Sequence, residues 1–219
     1  NIQRFILFQM TINICACLIV LIGAFTGLDS PLNVTQMLWV NLIMDTFAAI
    51  ALSALPPQKS VMKDKPRDPN AFILDHSMLR NIFGVGGFFF AVLLVLLIIF
   101  QHAEINSLAN LASFHFGERN PVSTYELTLL FSIFVMTHMG YMFNARGYNT
   151  GGSGWNLKGC DGFLIIATVV TLGQIAIVQM PLLNSFFNVQ PLPLPDWIVI
   201  FLMGFLVTGI REVKHLIFK

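Results

Sequence analysis

Of 219 residues, 56% are hydrophobic and only 11% are charged, and the mean hydropathy is +0.75. Soluble domains carry about 25% charged residues, so a soluble globular domain is excluded and an integral membrane protein with the lipid bilayer as partner is indicated. The formal net charge of +1 carries little information by itself, and no nucleic-acid partner is expected.

A membrane-crossing helix needs about 20 predominantly apolar residues. The first candidate is Phe5–Gly27. It exceeds the apolar core of about 7–15 residues in a signal peptide and contains Asn13, so it reads as a true span. The chain opens on Asn1 rather than Met, which suggests a piece of a larger protein. Val34–Leu55, Met78–Gln101, Tyr125–Phe143 and Phe163–Leu183 follow. Trp197–Ile210 is short and must borrow from the Pro191–Pro195 stretch or from the tail. Breakers separate the spans: Gly27 to Pro31, Pro56-Pro57, Gly117 to Pro121, Gly151 to Gly154, and Pro191/Pro193/Pro195. No alternating strand pattern occurs, and lipid demands internally satisfied backbone, so helix is the default.

Basic residues orient this bundle. With Asn1 in the cytoplasm, the inner side holds Arg4, Lys59, Lys63, Lys65, Arg67, Arg80, Arg146, Lys158, Arg211, Lys214 and Lys219, and the outer side only Arg119. Positive residues favour the cytoplasmic side. The expected fold is an all-α membrane protein, a bundle of six transmembrane helices with both termini cytoplasmic, forming a single transmembrane domain over residues 1–219. Lys59 to Asn70 is a charged cytoplasmic loop that either docks a soluble domain or is simply solvated. His102 to Thr124 is an outer loop with a weakly amphipathic middle (Ile105, Leu108, Leu111, Phe114) that suits a short interfacial helix.

Few polar groups lie inside the spans. Asp45 is the one carboxylate deep within them, and an ionised Asp near the bilayer centre costs roughly 2.5–3.5 kcal/mol on insertion scales. A bound cation, a proton or a paired base must offset that cost, and no Lys or Arg lies within the spans at its depth. Asn41, four residues earlier, falls on the same helix face. Asn13 reaches about the same depth if the first two spans are antiparallel neighbours. Asn41 and Asn13 also suit the alternative of hydrogen-bonded glue between helices. Three oxygen-bearing side chains suit a hard cation such as Ca²⁺, which takes about 6–8 oxygens, but they supply at most four. His138 in the fourth span reads as a helix-to-helix hydrogen bond, a proton relay or an accessory ligand; neutral imidazole suits transition metals better than Ca²⁺. Gly84, Gly86 and Gly87 read as close-packing positions. Cys15, Cys17 and Cys160 have neither zinc-site nor disulfide spacing. Neither a phosphate-binding loop, a Rossmann glycine pattern, H-E-x-x-H nor G-x-S-x-G occurs.

The run Gln36-Met37-Leu38-Trp39-Val40-Asn41-Leu42-Ile43-Met44-Asp45-Thr46, followed by Ala51-Leu52 and Pro56-Pro57, closely resembles the sixth membrane helix of P-type Ca²⁺-ATPases. Phe8 to Asn13 is similar to the fifth helix of the plasma-membrane type, Asp29-Ser30-Pro31-Leu32 to its connecting loop, and Phe131 to Arg146 to its eighth helix. The resemblance spans the chain, strongest over the first two spans, and implies the fifth to tenth membrane helices. It implies Asn13, Asn41 and Asp45 as Ca²⁺ ligands, with a glutamate of the absent fourth helix completing the site. Ala16 and Met44 stand where the two-ion reticulum type has Glu and Thr, so the resemblance implies one Ca²⁺ per cycle. His138 departs from the Gln or Glu of the family. The chain also lacks the extended calmodulin-binding tail of animal members, which suggests a microbial source.

The resemblance therefore implies the transmembrane half of an ATP-driven pump exporting Ca²⁺ across the plasma membrane, with protonated Asp45 as a counter-transport form. ATP and Mg²⁺ would act only through the phosphorylation, nucleotide and actuator domains of the absent N-terminal half, expected to contact loop 56–77. Two other readings stay open: an ATP-independent cation/proton secondary transporter or channel using Asp45 and His138, and a non-transporting membrane assembly subunit.

Overall fold

The computed structural model describes residues 1–25, 30–56, 72–103, 105, 107–108, 117–118, 121–148, 157 and 159–217, the last eight by backbone alone. The loop Lys59–Asn70, the glycines 151–154 and most of the expected interfacial segment, Leu111 and Phe114 included, lie outside the described residues. The described residues are helical and contain no strand. In chain order they form α1 (Ile2–Phe25), α2 (Val34–Leu38), a π-helical segment (Trp39–Met44), α3 (Asp45–Ser53), α4 (His76–His102), α5 (Thr124–Arg146), α6 (Asp161–Gln179), α7 (Pro181–Phe187) and α8 (Leu194–Ile217).

Five of these stretches are long and apolar enough to cross a membrane: α1, α2 through α3 taken together, α4, α5 and α6. The last helix, α8, extends beyond the expected Trp197–Ile210 at both ends, and its apolar part, Leu194–Gly209, is shorter than the other five stretches. Pro195 sits in its first turn, where a missing amide costs nothing, and its 24 residues reach about 36 Å at 1.5 Å per residue. The expected span Phe163–Leu183 divides in two. Pro181 cannot continue the ladder and holds Met180 extended (φ −89°, ψ 124°), so α6 ends at Gln179 and Pro181 opens α7.

α1 and the α2–α3 helix form an antiparallel hairpin. At one end, Asn1 Nδ2 donates to the carbonyls of Ser53 (3.0 Å) and Leu55 (2.9 Å). At the other, Gly23 lies against the Pro31 ring, with no room for a Cβ. The end holding Asn1 and Ser53 is called the near end below, and the end holding Pro31, Thr124 and Gln179 the far end. α1 also packs along α4, and α5 along α8.

α5 is the axis of the bundle: nearly every residue from Glu126 to Arg146 is buried. A helix buried all round can afford polar positions only if they find partners. Asn144 Nδ2 donates to Val207 O (2.8 Å), and Thr208 Oγ1 donates to Gly140 O (3.1 Å). Gly140 and Gly204 let α5 and α8 touch, since a Cβ on Gly140 would collide with the Gly204 carbonyl. Of the three glycines expected to allow close packing, only Gly86 meets a neighbour, the Thr11 carbonyl, while Gly84 and Gly87 face open space.

Gly140→Ala should therefore force the α5–α8 crossing apart and cost about 1–3 kcal/mol, the usual penalty of overpacking. Gly84→Ala should instead gain about 0.5–1 kcal/mol from helix propensity. Thermal unfolding of both variants in detergent tests the pair; equal effects would contradict the assigned crossing.

Candidate functional site

The helix that carries Asp45 starts at a reciprocal cap. Gln36 N donates to Asn33 Oδ1 (2.8 Å), and Asn33 N donates to Gln36 Oε1 (3.1 Å). After one turn of α-helix the backbone widens into the π-helical segment Trp39–Met44, closed by the Asp45 amide donating to the Val40 carbonyl. π-turns inside α-helices recur at functional sites, and this one contains Asn41 and delivers Asp45 to the first turn of α3. Thr46 Oγ1 donates back to the Leu42 carbonyl within the same stretch.

Asp45 is buried, 3% exposed. Neither carboxylate oxygen has a hydrogen-bond partner among the described residues. The Gln9 side chain of α1 is the polar group that acts on it, without closing a hydrogen bond. No described Lys or Arg is paired with it. Asn13 lies one helical turn beyond Gln9 on α1, half-buried, and Asn41 one turn before Asp45, exposed. Because the two helices run antiparallel, both turns lead toward the far end. Asn13 and Asn41 therefore sit at one depth, a turn beyond the level shared by Gln9 and Asp45. Asn13 thus shares the depth of Asn41 but not that of Asp45, and the three side chains differ in burial.

Two other buried carboxylates show what a structural acid looks like in this bundle. Asp196, fully buried, accepts from Ser107 Oγ (2.7 Å), from Leu108 N (2.8 Å) and from the Tyr125 hydroxyl. Glu126 accepts from Ile105 N (3.1 Å), Ser123 N (2.8 Å) and Ser123 Oγ (2.8 Å). Both tie the far-end loop to helix starts. Among the described residues Asp45 alone of the three closes no hydrogen bond, with Gln9 as its polar neighbour.

His138 is fully buried in α5. Its Nδ1 lies 2.5 Å from the Phe134 carbonyl, and Nε2 has no partner among the described residues. Its ring packs on Phe134 (4.3 Å between centroids) and Phe89 (4.9 Å). No hydrogen bond joins it to Asp45, Asn41 or Asn13. One turn nearer the near end, the Tyr141 hydroxyl donates to Asn81 Oδ1 (3.3 Å) and lies 3.4 Å from Thr11 Oγ1, whose own proton goes to the Leu7 carbonyl (2.7 Å), so that α1, α4 and α5 meet there. Sequence reasoning missed Gln9 and this chain of hydroxyls. The i, i+4 spacing of Gln9 and Asn13 was the available signal.

No three described His, Cys, Asp or Glu side chains cluster as a metal site. One carboxylate with amide oxygens, all hard donors, matches an oxygen-seeking cation rather than a thiolate- or imidazole-bound transition metal.

Residues 29–217 match the sequence profile of the family described as cation transporting ATPase, C-terminus. The chain belongs to that family. It is 37% identical over 215 residues to the plasma membrane calcium-transporting ATPase 2 of Oreochromis mossambicus, covering 95% of this chain and 18% of that protein. It is 35% identical over 208 residues to the human plasma membrane calcium-transporting ATPase 3, covering 93% and 16%. To the plasma membrane-type calcium-transporting ATPase 3 of Oryza sativa subsp. japonica it is 33% identical over 218 residues, covering 99% and 20%. The chain thus spans about a fifth of the length of these relatives. The family expected from Gln36–Thr46 is borne out.

Removing the charge at Asp45 should relieve a cost rather than break a bond. In cation-free buffer, Asp45→Asn should be as stable as the wild type or more so, by up to about 1–3 kcal/mol, whereas Asp196→Ala should lose about that much for each donor it abandons. Thermal unfolding with chelator present checks this; comparable losses at both positions would show Asp45 to be structural.

Proposed function

We propose that this chain is the membrane-embedded, C-terminal part of an ATP-driven pump that exports Ca²⁺ from the cytoplasm across the plasma membrane. The observation that carries the reading is Asp45, buried with both oxygens unpartnered. A carboxylate in that state is held in hydrocarbon only if a proton or a cation shares the site. The relatives are calcium-transporting ATPases, which supports Ca²⁺ as the cargo.

In this reading the near end faces the cytoplasm. Asp45 supplies the negative charge, and the amide oxygens of Asn41 and Asn13 supply neutral donors one turn outward. A single carboxylate with two amides supports one Ca²⁺ per cycle. Since Ca²⁺ takes about 6–8 oxygens, the rest come from backbone, water and the remainder of the protein. Asn41 is exposed, and its face is where the glutamate of the fourth membrane helix, implied by the family resemblance, would approach. After Ca²⁺ leaves outward, a proton on Asp45 removes the cost of its charge and becomes the counter-ion carried back. ATP and Mg²⁺ enter only through cytoplasmic domains outside this chain, and the connection over residues 56–77 is the surface proposed to meet them. His138, enclosed by two aromatic rings, supports the packing of α5 against α4 rather than direct ligation.

In the full-length protein, Asp45→Asn should abolish ATP-driven Ca²⁺ uptake into inside-out membrane vesicles. Asn41→Ala and Asn13→Ala should each raise the Ca²⁺ concentration needed for half-maximal uptake. Undiminished uptake by Asp45→Asn would overturn the reading.

A further inference from the structure

The connection from α6 to α8 does more than turn the chain. From Met180 to Pro195 it carries no charged side chain, although it lies between the ends of two membrane helices. Within it α7 exposes Leu182 (81%) and Phe186 (66%), four residues apart and therefore on one helix face. Exposed Met180 continues that apolar surface.

The C-terminal end of α7 is bound to the helix that carries Asp45. Asn33 Nδ2 donates to the Phe187 carbonyl (2.7 Å) and Gln36 Nε2 donates to the same carbonyl (3.2 Å), while the Thr35 hydroxyl, which donates to Asn33 Oδ1 (2.7 Å), lies 3.4 Å from Phe186 O. The Phe187 ring meets Trp39 edge-on, with centroids 6.3 Å apart. The Phe187 carbonyl, which no helical amide can reach, is thus satisfied by the capping side chains of α2.

We propose that α7 is an anchor in the far leaflet, with Leu182 and Phe186 inserted at the boundary between headgroups and acyl chains. Through the Phe187 carbonyl and the Phe187 ring on Trp39, the lipid surface then fixes the far end of the Asp45 helix. The occupant of the exposed face is lipid for two reasons on this chain. Connectivity places α7 at the membrane boundary, since α6 ends two residues before it and α8 starts seven residues after it. A face of Leu and Phe without charge is costly in water and suited to the acyl boundary. The inference concerns the lipid contact and the clamp, and it stands whether or not Ca²⁺ is the cargo.

The test uses the full-length protein in proteoliposomes, with a nitroxide on Leu182→Cys or Phe186→Cys, one at a time, read against the protein lacking the added cysteine. Collisions with oxygen should exceed those with a water-soluble nickel chelate severalfold at both positions. High collision with the chelate would overturn the proposal by placing α7 in water. Low collision with both would overturn it by showing another protein segment over this face. The clamp has its own readout: Leu182→Glu with Phe186→Glu should speed amide exchange over Val34–Leu38 while leaving α4 unchanged. Unaltered exchange over Val34–Leu38 would overturn the clamp.

Discussion

A single buried carboxylate without a donor sets the terms for this bundle. Asp45 has neither a basic partner nor a hydrogen bond among the described residues, while Asp196 and Glu126, equally buried, are each satisfied by three donors. Desolvating a charge without compensation costs more than most side-chain contacts return. In the proposed function the surrounding helices accommodate two states of Asp45, one with a bound cation and one with a proton. That tolerance is what a transport site requires.

The rest of the fold positions this group and holds it. The α1/α2–α3 hairpin, closed by Asn1 at the near end and by Gly23 against Pro31 at the far end, brings Gln9 opposite Asp45 and aligns Asn13 with Asn41. The π-helical segment interrupts the regular ladder one turn before the carboxylate. Behind the hairpin, α5 is pinned to α8 through Gly140 and Gly204 and to α1 and α4 through Tyr141. The hairpin thus rests on a fixed axis while its own far end is held by α7.

Much of this could be read from residues alone, and the rest fails for identifiable reasons. The spans were legible because lipid demands long apolar helices, and Asp45 because its cost makes it conspicuous. Asn41 and Asn13 followed from i, i+4 spacing and antiparallel depth. The π-segment was not legible, because no residue type selects it. Gln9 was passed over because it lies near the start of the first span, where polar residues usually meet the interface. The break at Met180 was signalled by Pro181, but hydropathy read across it. The Gly140–Gly204 crossing depends on which helices become neighbours, and spacing within one helix does not report that; the same limit explains why Gly84 and Gly87 were assigned contacts they do not make.

The most direct test is a structure of the full-length protein determined with Ca²⁺ bound, the ion identified by its anomalous signal. The account predicts the ion on the Asp45 carboxylate at about 2.3–2.6 Å, with the amide oxygens of Asn41 and Asn13 completing the same shell. An Asp45 side chain turned to lipid, or locked to a Lys or Arg of the remaining protein with the ion elsewhere, would contradict it.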